Sequence, residues 1–291
     1  MNSAILCRGV RKSYARTRAL DGVDLEIPAG AFVLLVGRNG SGKSTLLRAL
    51  TGDLDCTGEI RVLGDDPRKR RGRPETRIAY RSETVNLPLR FRIADVLDLY
   101  GRIHPRFVRA RAVEHLEAAG LGRLETPLAS LSHGNLSRVE AAILLALDAG
   151  IVLLDEPLSG LDPVYRDFFW RELLGTYVDG ERTLVVVTHR PEDAAGLFTH
   201  LAVLDAGRIR EFEDAETLQQ RYRSVLVGPE RSAEARALHP LAVRPHWGRE
   251  IVLFRDAPEK TLRELGEEVP TDLTTIVHAL LEPSQRSEPS P

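Results

Sequence analysis

The chain is poor in cysteine, in long apolar runs and in charge of one sign, and each shortage closes off a class of protein. Two cysteines among 291 residues, Cys7 and Cys56, are too few for a disulfide framework or a zinc site and fit a reducing compartment. No apolar stretch reaches the roughly 18 residues of a spanning helix, and the start carries no signal-peptide apolar region. We therefore expect a soluble, cytosolic chain that needs a partner for any work across a membrane. The formal net charge of -2 supplies no global attraction to nucleic acid or anionic lipid. Of the 40 basic residues only Lys12, Lys43, Lys69 and Lys260 are lysine, a bias we assign to genome composition rather than to function. What remains is an ordinary globular mixture, 43% hydrophobic and 28% charged, long enough for one large domain and a small one.

One segment carries chemistry on its own. Gly37-Arg38-Asn39-Gly40-Ser41-Gly42-Lys43-Ser44-Thr45 has the G-x-x-x-x-G-K-S spacing of a phosphate-binding loop. The apolar run Ala31 to Val36 before it suits a buried parallel strand, and Leu46, Leu47, Ala49 and Leu50 after it stand at helical spacing. Glycines let the backbone turn tightly, so that successive N–H groups face phosphate oxygens at a helix start. Lys43 is expected to reach the β- and γ-phosphates of a nucleotide, and Ser44 to ligate Mg²⁺.

Apolar strands alternating with helices predict an α/β fold with a mostly parallel core sheet. The first thirty residues alternate as strands do, and Gly58 to Gly64 and Arg77 to Tyr80 read as two more. Between those two lies a basic run (Arg68, Lys69, Arg70, Arg71, Arg73, Arg77) that we read as a solvated connector. Ile93 to Ile103, Phe107 to Ala119 and about Gly134 to Ala149 read as helices. Ile151 to Leu154 and Thr183 to Val187 read as buried strands, and Leu201 to Leu204 with Arg208 to Phe212 as a hairpin. After Tyr222 the texture changes: strands at Val225 to Val227 and Ile251 to Phe254, then a helix over Thr271 to Leu281 capped by Thr271. These predict a nucleotide-binding domain over 1–222, a small α+β appendage over 223–282 and a disordered Pro- and Ser-rich tail over 283–291.

The second chemical feature is Asp155-Glu156-Pro157, closing the apolar strand Ile151 to Leu154. Two acids there are poor core design without a cation or proton to serve. Asp155 suits a ligand of the same Mg²⁺, and Glu156 a general base for the attacking water.

In order and spacing, residues 3 to 222 resemble the nucleotide-binding subunit of ATP-binding cassette transporters. The pieces that carry the likeness are the Gly37–Thr45 loop, Ile78 to Glu83 at the glutamine-loop position, and Leu131-Ser132-His133-Gly134-Asn135 at the signature position. Asp155 to Pro157, Ser159-Gly160-Leu161-Asp162 as the D-loop, and His189 as the switch histidine complete the set. The likeness implies a P-loop NTPase cassette with a parallel core sheet, an antiparallel β subdomain and a helical subdomain, plus the C-terminal appendage. It also implies that Tyr14 stacks on adenine, that His189 contacts the γ-phosphate, and that Ser132, Gly134 and Asn135 bind ATP held by a second copy. Two departures stand out. Glu83 replaces the usual glutamine; it can still ligate Mg²⁺, and slower or differently metal-dependent turnover is expected. His133 and Asn135 alter the usual Leu-Ser-Gly-Gly-Gln, yet the serine hydroxyl and Gly134 are retained.

The implied function is that of an ATPase with ATP and Mg²⁺, acting as a homodimer or heterodimer that drives a separate permease. It would sit at the cytoplasmic face of the membrane, and nucleic acid is not expected. The length resembles export-type subunits. Leu87, Leu89, Phe91 and Ile93 are available for permease docking or for burial within the domain. A soluble cassette ATPase working on ribosomes or DNA is the alternative, although such chains usually carry two cassettes or a coiled-coil insertion. A regulatory sensor of ATP is a third class, which Glu156 argues against.

Overall fold

The computed structural model describes residues 3–70, 77–175, 182–191 and 196–281. In chain order the elements are β1 (Ser3–Tyr14), β2 (Thr17–Pro28), β3 (Phe32–Val36), α1 (Lys43–Leu50), β4 (Thr57–Val62), β5 (Ile78–Arg81), α2 (Ile93–Ile103) and α3 (Arg109–Ala118). There follow α4 (His133–Leu145), β6 (Ile151–Asp155), α5 (Pro163–Gly175), β7 (Thr183–Val187), β8 (His200–Asp205), β9 (Arg208–Asp214) and α6 (Ala215–Arg221). The C-terminal part holds β10 (Tyr222–Val227), α7 (Ser232–Ala237), β11 (Ala242–His246), β12 (Arg249–Arg255), α8 (Glu259–Leu265), β13 (Gly266–Val269) and α9 (Leu273–Leu281).

The central sheet has six strands in the order β5-β6-β7-β3-β8-β9, parallel throughout except for the β8–β9 pair. Strands β3, β6 and β7 are buried along their whole length, as Phe-Val-Leu-Leu-Val, Ile-Val-Leu-Leu-Asp and Thr-Leu-Val-Val-Val predict for strands covered on both faces. Each large apolar side chain so placed contributes about 1.5–3 kcal/mol relative to exposure. One face packs on α1 and on the antiparallel sheet β2-β1-β4. The other packs on α4, α5 and α9. A separate cluster holds α2 and α3 against α4.

Several boundaries differ from the sequence-based expectation. Helix α4 starts at His133, one residue before the expected Gly134, and the Ser132 hydroxyl caps it by accepting from Asn135 N at 3.3 Å. It ends at Leu145 rather than Ala149. Helix α3 starts at Arg109, since Val108 is extended. Helix α9 starts at Leu273, and the cap is Asp272, whose Oδ1 accepts from Thr274 N at 3.1 Å, rather than Thr271. In the basic run, Arg68 is not a free solvated group: it pairs with Asp66 at 2.9 Å and donates to the Cys56 and Gly58 carbonyls. Arg71 and Arg73, and the tail over 283–291, lie outside the described residues.

The C-terminal sheet, in the order β11-β12-β10-β13, has its own small core with α7 and α8. Its other face joins the cassette: Tyr222, Leu253, Ile276 and Val277 belong to the same hydrophobic cluster as Leu201 and Val203 of β8. Arg221 reinforces that seam, pairing with Glu211 at 2.9 Å, Glu213 at 2.6 Å and Asp256 at 2.9 Å.

Candidate nucleotide site

Strands β5, β6, β7 and β3 are neighbours in the sheet, and their carboxyl ends are level, with Arg81 beside Leu154, Asp155 beside Val187, and Leu35 beside Val187. Open α/β sheets bind ligands outside such ends. Here every end delivers an expected group: Glu83 after β5, Asp155 and Glu156 from β6, His189 after β7, and the Gly37–Thr45 loop after β3.

The loop is braced by β2 and by the strand end at Leu204. A Cβ on Gly37 would lie 2.2 Å from the Leu204 carbonyl oxygen and 2.6 Å from Ser41 Oγ. Gly42 has φ of 108°, and a Cβ there would lie 2.2 Å from the Ala19 carbonyl oxygen. Only glycine fits both places. Asn39 and Gly40 are exposed at the turn, Ser41 N donates to Arg38 O at 3.0 Å, and Thr45 is half-buried in the first turn of α1. The Lys43 ammonium folds back on its own loop, donating to the carbonyls of Gly37 at 2.7 Å and Arg38 at 3.0 Å. Burial lowers its pKa, and the charges of Glu156, Asp155 and Glu83 oppose that fall.

Burial raises the Asp155 pKa; a hydrogen bond with the Ser44 hydroxyl opposes the rise, and the Glu156 and Glu83 charges add to it. An excess of carboxylate around one ammonium is electrostatically costly until a cation arrives. Ser44, Asp155 and Glu83 offer oxygen alone, which suits Mg²⁺, an ion held by one or two carboxylates together with substrate phosphates. Among the described residues no three His, Cys, Asp or Glu are grouped to hold a metal by themselves, and phosphate oxygens and waters would complete the shell. Ser41 Oγ is buried beside Gly37 without a hydrogen-bond partner, a polar atom ready for an oxygen-rich ligand. The residues fit the ion and the polyphosphate.

Glu156 turns out of β6 at φ of 49°, a left-handed conformation that costs a non-glycine residue about 1–2 kcal/mol. Its N–H donates to Val187 O at 2.9 Å, which ties the turn to β7. Its carboxylate lies 2.8 Å from His189 Nδ1, with the glutamate side chain 13% and the histidine 64% exposed. A half-buried acid in contact with an open imidazole, at the strand ends that carry the phosphate loop, has the chemistry to take a proton from water.

Ser132, Gly134 and Asn135 are elsewhere. They open α4 against the D-loop: a Cβ on Gly134 would lie 3.0 Å from Gly160 O, and one on Gly160 would lie 2.9 Å from the His133 ring. Among the described residues no hydrogen bond or ion pair joins them to the phosphate loop. Tyr14 also stands apart, exposed at the end of β1 with the Lys12 ammonium 5.2 Å from its ring centroid. Of the apolar residues considered for docking, Leu87 and Ile93 are buried in the helical cluster, Phe91 is half-buried, and only Leu89 is exposed.

Two ionic ties escaped the sequence reading. Arg81 pairs with Glu140 of α4 at 3.1 Å, both largely buried, and Arg138 of α4 pairs with Asp162 of the D-loop. Burial lowers the Arg81 pKa and raises that of Glu140, each opposed by the partner's charge. The available signal was an arginine closing the apolar strand Ile-Ala-Tyr and a glutamate within the apolar face Val139-Ala141-Ala142.

Residues 20–159 match the family described as ABC transporter. The Nod factor export ATP-binding protein I of Cupriavidus metallidurans is 31% identical over 263 residues, covering 87% of this chain and 86% of that protein. The chain belongs to the ATP-binding cassette transporter family. The aliphatic sulfonates import ATP-binding protein SsuB of Pseudomonas putida is 36% identical over 69% of this chain and 73% of its own length. A solved dimeric ATP-binding cassette in a post-hydrolysis state, bound to ADP and Pi, aligns with a TM-score of 0.63 at 27% identity, covering 72% of this chain and 98% of that one. The chain is accordingly an ABC-type ATPase subunit of a transporter, as its motifs imply, and subunits of this kind dimerise and work with transmembrane partners. Among its described residues no helix is long and apolar enough to cross a membrane.

Proposed function

We propose that two copies of this chain close head to tail around two Mg·ATP, each ATP lying between the Gly37–Thr45 loop of one copy and the Ser132–Asn135 helix start of the other. One observation carries this reading: Lys43, Ser44, Asp155, Glu156 and His189 gather at the carboxyl ends of the central strands, while no hydrogen bond or ion pair among the described residues joins the Ser132 helix start to them, and a helix start is suited to an anion. Lys43 and the loop N–H groups would grip the β- and γ-phosphates, Ser44 and Asp155 would hold Mg²⁺, with Glu83 beside them, and Tyr14 would stack on adenine. The ion supplies charge neutralisation on the phosphates when bound. Glu156 accepts the proton of the attacking water, and His189 orients that carboxylate and senses the γ-phosphate. Loss of the γ-phosphate removes contacts to both copies and lets them part, a ligand-biased switch.

The dimer drives a separate permease from the cytoplasmic face of the membrane. Leu89, with the exposed Leu99, Ile103 and Val108 of the helical layer, offers the apolar surface for it. We read the direction as export, because Nod factor export subunits of several bacteria recur among the similar proteins, one of them matching over 87% of this chain, beside one importer subunit. The test is complementation. Lys43→Ala and Ser132→Arg should each abolish turnover alone, and mixing them should restore part of it through heterodimers with one intact composite site. No gain on mixing would overturn the head-to-tail arrangement.

A further inference from the structure

The turn that carries Glu156 is strained, and strained backbone persists only where its surroundings over-determine it. Three backbone ties are visible. Glu156 N donates to Val187 O, Ser159 N donates to Glu156 O at 3.0 Å, and the Pro157 carbonyl accepts from Arg81 Nη1. The third is a side chain, and it is 3% exposed. Its guanidinium is held in turn by Glu140 through Nε at 3.1 Å, and it lies over the Phe169 ring of α5 at 5.9 Å. The other Glu140 oxygen accepts from Asn86 N at 3.4 Å, in the loop that carries Glu83. One planar cation thus meets the turn after Glu156, the helix that begins at the signature serine, and the helix after the D-loop. Through Glu140 it also reaches the loop of Glu83. A guanidinium suits this junction because its donors diverge in one rigid plane; an ammonium cannot serve the two acceptors with the same geometry.

We propose that Arg81 is a positioning residue for ATP hydrolysis. It anchors the Pro157 carbonyl and so aims the Glu156 carboxylate, while Glu140 fixes the guanidinium and ties that aim to the placement of α4. Arg81 acts through Glu156 and touches no nucleotide. The inference rests on the reading of Glu156 as the base; wild type failing to hydrolyse ATP would sink that reading, whereas the variants below address Arg81 alone.

The decisive variant removes both charges, Arg81→Met with Glu140→Leu, because replacing a buried ion pair by apolar groups preserves folding better than orphaning one partner. It is measured for thermal melting, for ATP binding by fluorescence titration, and for kcat and KM in Mg·ATP turnover. The expected result is a melt and an ATP affinity close to wild type with kcat reduced roughly 10- to 100-fold, since small misplacement of a reacting group costs on that order. Arg81→Lys, which keeps the charge and loses the fork, is expected to lower kcat by an intermediate factor at unchanged KM. In a Glu156→Gln background, Arg81→Met should cost no further kcat. A folded double variant with wild-type kcat overturns the proposal, and so does an Arg81→Lys enzyme with undiminished kcat should the double variant not fold.

Discussion

Glu156 and His189 stand 2.8 Å apart, and removing each and then both asks whether they work as one unit. General acid–base catalysis supplies typically 10²–10⁴-fold, about 2.7–5.4 kcal/mol at 1.36 kcal/mol per decade. Were the two groups independent, their losses would multiply, and Glu156→Gln with His189→Ala would fall to the product of the single effects. Contacting residues do not behave so: their coupling runs about 0.5–3 kcal/mol, and members of a catalytic unit are strongly non-additive. The imidazole Nδ1 lies against the Glu156 carboxylate, and without that carboxylate it has little left to orient. We expect Glu156→Gln to lower kcat by about 10²–10⁴ and His189→Ala by a similar or smaller factor. The double variant should lie within about tenfold of the weaker single enzyme. Single-turnover phosphate release in excess protein gives the rates, and thermal melts check that each variant folds. Multiplicative losses across the cycle would refute the idea that His189 acts through Glu156.

Gly160→Ala should destabilise the fold by about 1–2 kcal/mol from its φ of 77° alone, with more from a methyl 2.9 Å from the His133 ring. Urea midpoints should show the second part, but not the first, disappearing in a His133→Gly background; equal losses in both would remove the contact from the account. Arg138 holds the Asp162 carboxyl below the usual carboxylate range, so its contribution to stability is complete above the ordinary carboxylate pKa near 4 and fades as pH falls through the lowered one. Asp162→Asn should therefore flatten the acid limb of a melting-temperature profile, and an unaltered limb counts against the pair. Glu83→Gln should change turnover and its Mg²⁺ dependence, because one negative charge beside Asp155 is removed; an unchanged titration clears Glu83 of any role at the metal.

What the sequence made legible was local. The phosphate loop, the acids Asp155 and Glu156 and the apolar runs of β3, β6 and β7 announce themselves because strand period, glycine placement and charge at a strand end are short-range signals. Helix α2 falls on its expected residues, Ile93–Ile103, for the same reason. Register and return paths are another matter. Leu273, Ile276, Val277 and Leu280 mark an amphipathic helix but say nothing of where its apolar side goes, and it goes back to β8 of the cassette. Arg81 and Glu140 are 59 positions apart, and each alone reads as a charge that belongs in solvent.

The placement of α4 explains why a helical layer is built onto a sheet that already holds the chemistry. Its Ala141, Leu144 and Leu145 are buried with the central sheet, while Val139, Ala142, Ile143 and Ala146 alongside it are buried with α2 and α3. One helix is thus a wall of both cores, and close-packed cores transmit displacement rather than absorb it. At its N-cap stands Ser132; about two turns on, Arg138 and Glu140 reach the D-loop and, through Arg81, the turn beyond Glu156. A displacement of α2 and α3 that moves Ser132 through α4 is therefore expected to reach the Pro157 carbonyl beside Glu156. The surface proposed for a permease and the proposed proton acceptor, Glu156, are thus connected by one helix and two buried or half-buried arginines.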